Sequence, residues 1–119
     1  MPVLIVYGMP ANVGLDGLLF SMKNTVAVVL HIAPDEVSVF FPTDLVKEGL
    51  GEELICLVEG LFKKPERTLE IRRLMAESIR QILVGFARDC LPQCKKVEVI
   101  VSRFDQDVDG FAVWERNKK

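Results

Sequence analysis

The sequence predicts an α+β fold: two tandem βαβ units forming a four-stranded mixed sheet with two helices on one face, plus a short C-terminal strand. Three observations predict it. A strand–helix–strand pattern occurs twice within 119 residues. Each helical segment carries its apolar residues on one side only. The strands instead run continuously apolar, as in Val3 to Val6 and Leu54 to Val58. Crossovers of this length require parallel pairing inside each unit, with right-handed connections.

The elements follow in order. "PVLIVYGM" (Pro2 to Met9) is rich in Val, Ile and Tyr beside Gly8 and Pro10, which predicts the first strand. Leu15, Leu18, Leu19, Met22, Val26, Val29 and Leu30 recur at helical spacing, opposite Asp16, Ser21, Lys23 and Asn24. Pro34 ends that helix. "EVSVFF" (Glu36 to Phe41) predicts the second strand and "ELICLVEGLF" (Glu53 to Phe62) the third. Pro65 suits the first position of a second helix. Its apolar stripe is Ile71, Leu74, Met75, Ile79, Ile82, Leu83 and Phe86, opposite Arg72, Arg73, Glu77, Arg80 and Arg88. "KVEVIVSRF" (Lys96 to Phe104) predicts the fourth strand and "FAVWE" (Phe111 to Glu115) a short fifth. Length predicts a single domain over 1–119, with pseudo-repeated halves of about 1–50 and 51–119.

Composition bounds the function. Half of the residues are hydrophobic, 27% are charged and the net charge is -2, a balance that marks neither a nucleic-acid partner nor a membrane surface. The strongly apolar run "VAVVLHIA" is far shorter than the ~20 residues that span a bilayer. No basic-then-apolar leader with a small-residue cleavage site opens the chain, so secretion is not expected. The odd count of three cysteines fits free thiols in the cytoplasm better than a disulfide framework. Strands apolar on both sides need two covering layers, and two helices cover only one. The second layer is therefore expected from other copies of the chain.

A Met-Pro start, a strand beginning at Pro2, two βαβ units and a short closing strand together resemble the tautomerase superfamily. The nearer likeness is to its double-unit branch, that of macrophage migration inhibitory factor. "MPVLIVYG" resembles that family's first strand and "APDEVSVFF" its turn into the second. "VEGLFKKPERTLEIRRLMAESIRQIL" resembles a bacterial branch of the superfamily.

The resemblance implies a homotrimer with Pro2 at the subunit boundary, acting as a keto–enol tautomerase on a small anionic α-keto acid or related enol. Pro2 is then the catalytic residue, its imino nitrogen serving first as general base and then as general acid. No cofactor and no metal are expected. A free α-amine has a reference pKa of about 7.7–8.0, which burial lowers toward the working pH. The amine exists only once Met1 is removed. The family's carboxylate-binding cations fall here near Asn12, Ile32 and Ser38, none of them cationic. The substrate-binding candidates are therefore Lys63 and Lys64 at the start of helix two and Arg103 at the end of strand four. Helix starts favour anions.

The remaining features have plainer readings. "DQDVDG" (Asp105 to Gly110) imitates the start of a calcium loop, but its twelfth position is Arg116 and its flanks are strands, so an acidic turn is expected. Cys90 and Cys94 lack the further ligands a zinc site needs, with Cys56 in a strand and His31 the sole histidine. His31 is read as a helix cap, Tyr7 as core, and the charges of helix two as a solvated face without the interleaved aromatics of an RNA binder. Two function classes stay open: an isomerase working through Pro2, and a non-catalytic trimeric binding or structural protein of the same fold.

Overall fold

The computed structural model describes residues 2–42 and 52–116. The chain runs β1 (Val3–Tyr7), α1 (Asp16–Leu30), a 3₁₀ turn (Pro34–Glu36), β2 (Ser38–Phe40), β3 (Glu53–Phe62), α2 (Leu69–Cys90) and β4 (Lys96–Phe104). The four strands form one sheet in the order β2-β1-β3-β4. β1 pairs parallel with β2, β3 pairs parallel with β4, and the central β1–β3 pair is antiparallel. The expected mixed sheet is present, with one crossover helix per unit.

Burial alternates along the two central strands. Leu4 and Val6 of β1, and Leu54, Cys56 and Val58 of β3, face the helices and are buried. There they join Leu18, Met22 and Val26 of α1 and Met75, Ile79 and Leu83 of α2 in one core. The intervening Val3, Ile5, Tyr7, Ile55 and Leu57 remain half-buried on the other face. Within a single chain these strands are thus covered on one face, which answers their continuously apolar sequence only in part.

Four local readings are corrected. Pro65 does not open α2. Residues 65–67 form a turn closed by the Arg67 N–H on the Lys64 carbonyl, and the helix begins after Thr68, whose hydroxyl accepts from the Ile71 N–H at 3.2 Å. A side-chain cap that satisfies an orphan donor outweighs a proline that merely fits the first turn. Leu74 lies outside the buried stripe, 52% exposed, with Ala87 inside it instead. Pro34 starts a 3₁₀ turn rather than only ending α1; the helix ends at His31, which adopts the left-handed conformation (φ 56°). Its cap is a backbone one, reinforced by the Ile32 N–H on the Ala27 carbonyl at 3.0 Å. The fifth strand, Phe111–Glu115, does not form within the chain. β4 offers an open edge, but the intervening turn lays Phe111 against Phe62 and Phe104 instead of beside that edge, with ring centroids 5.0 and 5.9 Å apart.

Gly8 is one glycine the fold demands. Its φ is +96°, and a Cβ there would stand 2.3 Å from the Glu53 carbonyl oxygen of the neighbouring strand. It lets β1 end tightly against the start of β3.

Candidate functional site

The antiparallel β1–β3 register sets Val3 opposite Glu59, and the parallel β3–β4 register sets Leu61 beside Arg103. The start of β1 therefore shares one end of the sheet with the ends of β3 and β4 and with the start of α2. Pro2 lies at this end. It is buried, and its carbonyl accepts the Ser38 N–H at 3.1 Å. Beside it, β3 breaks register with β4 between Val58 and Leu61, and Gly60 takes a positive φ of 69°. Such bulges re-aim side chains and terminate pairing at sheet rims. Met1, whose removal would free the Pro2 nitrogen, lies outside the described residues.

Lys63, Lys64 and Arg103 line one cavity of about 400 Å³ at the same end. Pro2 does not line it. One strand, β3, separates β1 from β4, so the backbones at Pro2 and Arg103 are about 10 Å apart by ordinary strand spacing. Lys63 is anchored from both sides: its N–H donates to the Phe104 carbonyl at 2.7 Å, and its Nζ pairs with Asp105 at 3.2 Å. The Asp105 carboxyl is held below the usual carboxylate range, first by the Asp107 N–H, then by Lys63 and Arg103. Asp105 also accepts the Val108 and Asp109 N–H groups on its carbonyl. The segment that imitates a calcium loop is thus an acidic turn stitched by its own backbone, and no metal-holding cluster occurs among the described residues.

Two further cations enter the cavity, Arg67 and Arg72. Sequence reasoning did not single out Arg67 and assigned Arg72 to a solvated face. Arg67 is only 7% exposed, and its Nη1 donates to the Phe62 carbonyl at 2.9 Å. The Nε of Arg72 is buried without a hydrogen-bond partner. The one available sequence signal was position: both arginines fall in the residues around the Thr68 cap, and a helix start gathers its neighbours toward one point.

The other candidates lie elsewhere. Tyr7 pairs with Ile55 at the far end of β1 from Pro2. Asn12 lines a separate cavity of about 350 Å³ at that far end, together with Cys90 and Cys94. All three cysteines are free thiols. Ser38, where the resemblance puts a family arginine, is the residue that bonds Pro2.

No family model and no curated protein matches the sequence. Solved structures do match the fold. A fused 4-OT, described as a wild-type asymmetric trimer, superposes with a TM-score of 0.65 at 10% identity, covering 92% of this chain and 91% of that one. A 5-carboxymethyl-2-hydroxymuconate delta-isomerase gives 0.62 at 12% identity, over 98% and 89%. A domain of unknown function (DUF1904) from Sebaldella termitidis gives 0.64 at 13% identity, over 99% and 98%. The two-unit sheet, its strand order and these near full-length superpositions agree: the chain has the tautomerase fold that its sequence resembles.

Proposed function

We propose that the protein is a keto–enol isomerase acting on a small anionic α-keto acid or related enol, with Pro2 as the general acid and base. The observation that carries this reading is the shared location of Pro2 and of the cavity lined by Lys63, Lys64 and Arg103 at one sheet end. Once Met1 is removed, the buried Pro2 nitrogen is a secondary amine that loses solvation as a cation, so its basicity falls toward neutrality. It takes a proton from carbon and returns it to oxygen, or the reverse. The lysines and Arg103 hold the substrate carboxylate and stabilise the enolate charge that develops between the two transfers. The working unit is a homotrimer in the cytoplasm, where the thiols stay reduced. Three solved structures of the fold, all fused 4-OT, are described as trimers, which supports that assembly.

The test is direct. Intact mass establishes that Met1 is gone, and enol-to-keto conversion of phenylpyruvate is then followed. Pro2→Ala keeps a primary amine at the same place, so activity is expected to fall about tenfold or more without vanishing. A processed chain with no turnover on any α-keto acid or enol overturns the reading. It would leave a binding protein of the same fold, the alternative favoured by the neutral Asn12, Ile32 and Ser38 where the resemblance calls for cations.

A further inference from the structure

The cavity at the start of α2 holds more positive charge than one carboxylate can use. Lys63, Lys64, Arg67, Arg72 and Arg103 line it, and the carboxylates at hand are Asp107 in its wall and Asp105 on Lys63. Among the described residues that line it, the five cations outnumber these two carboxylates by three. A fully buried charged side chain is rare unless it is paired. Arg67 is buried, yet its Nη1 donates to a neutral carbonyl, that of Phe62, and no carboxylate lies within ion-pair distance of it among the described residues. Arg72 adds the buried Nε with nothing to donate to. An orphaned buried donor costs free energy and calls for an explanation. Thr68 and Leu69 at the helix start also line the cavity, and the Thr68 side chain caps Ile71, one turn in. The first amides of a helix point out of its end and favour anions.

From these observations we infer that the cavity is a binding site for a phosphoryl group, built on Arg67 and Arg72 with Lys63, Lys64 and Arg103 around its mouth. A phosphoryl dianion concentrates two charges and three acceptor oxygens on one atom, which matches clustered guanidinium forks and helix-end amides. A single carboxylate offers one charge and two oxygens. The cavity, about 400 Å³, has room for the group and a small organic remainder. The inference rests on the proposed function only in taking this cavity as the substrate's anion pocket; it then names that substrate as a phosphorylated compound.

The experiment is calorimetric titration of the full-length protein with inorganic phosphate, with succinate and acetate at matched ionic strength as comparisons. Phosphate is expected to bind tighter than either. Arg72→Gln, which removes the guanidinium carrying the orphaned Nε from a partly exposed residue, is expected to weaken phosphate about tenfold or more. Lys64→Ala is expected to weaken it by less, and Arg72→Lys to restore only part of it. Pro2→Ala is expected to leave phosphate affinity unchanged, so loss of isomerase activity and loss of this site are read separately. The inference is overturned if phosphate binds no tighter than succinate, or if Arg72→Gln binds it as the parent does. Absence of phosphate binding in the assembled protein also overturns it.

Discussion

Cys56 and Cys90 show how far one side chain's chemistry depends on its place. Cys56 sits in the middle of β3 with no exposed surface, and burial pushes its thiol up to about 12. The thiolate is the reactive form, so at neutral pH Cys56 is a small apolar core residue. Cys90 ends α2 in the open, and Cys94 is half-buried with its Sγ beside the Lys96 carbonyl at 3.5 Å. Brief alkylation of the native protein at pH 8, followed by peptide mapping, is expected to modify Cys90 first, Cys94 next and Cys56 only after denaturation. Labelling of Cys56 at the rate of Cys90 would mean that β3 opens in the native state. Part of this was legible from the sequence, since an apolar strand predicts a buried cysteine and a helix end an exposed one. The role of Arg67 was not legible. Nothing about an arginine two residues after a proline says that it turns inward; that follows from a carbonyl at Phe62 and a cavity wall to which Arg103 of the distant strand β4 contributes.

At the level of elements, the long strands were the most legible features and the turns the least. β3 and β4 begin and end at the bounds the sequence predicts, Glu53–Phe62 and Lys96–Phe104, each built around a continuous apolar stretch. The start of α2 was misjudged because Pro65 and Thr68 both carry helix-start signals three residues apart, and only the hydrogen bond to Ile71 decides between them. That bond predicts a measurable cost. Thr68→Ala removes the hydroxyl and is expected to destabilise the protein by about 1 kcal/mol, seen as a lower urea midpoint at unchanged slope. Thr68→Ser keeps the cap and is expected to lie close to the parent. A null effect of both would return the helix start to Pro65. The failed fifth strand has another cause. Phe111–Glu115 reads as a strand because of Phe111, Val113 and Trp114, yet the latter two are 67% and 74% exposed, and one chain alone gives them nothing to cover. In the proposed homotrimer a neighbouring copy would be the surface that covers them.

The whole molecule makes the same point on a larger area. Phe40, Ile5, Leu57 and Ile100 are in register, one on each strand, and form a single apolar row across the full width of the open sheet face. Phe40 and Ile100 at its two ends are about half exposed, at 55% and 48%. Val3 flanks the row on one side, Tyr7 and Ile55 on the other, while Glu59 and Glu98 occupy the polar positions beyond. A monomer leaves such a continuous apolar patch uncovered only at risk of aggregation, whereas three sheets facing one another would bury it. The proposed homotrimer therefore has a definite seam, and the centre of that seam is Leu57. Leu57→Lys puts a charge there while leaving the helix-side core untouched, since Leu57 points away from Cys56 and Val58 and their packing on α2. The parent is expected to sediment at about three times the chain mass of 13.4 kDa, and the variant near a single chain with its helical circular dichroism retained. A variant that keeps the parent's mass at micromolar concentration would show that assembly runs through another surface, and a parent that sediments as a single chain would remove the trimer altogether. If Pro2 stands at the subunit boundary, as the resemblance implies, the same variant is also expected to lose isomerase activity while its free Pro2 amine persists. That outcome would separate a site completed by its neighbour from one that each chain carries alone.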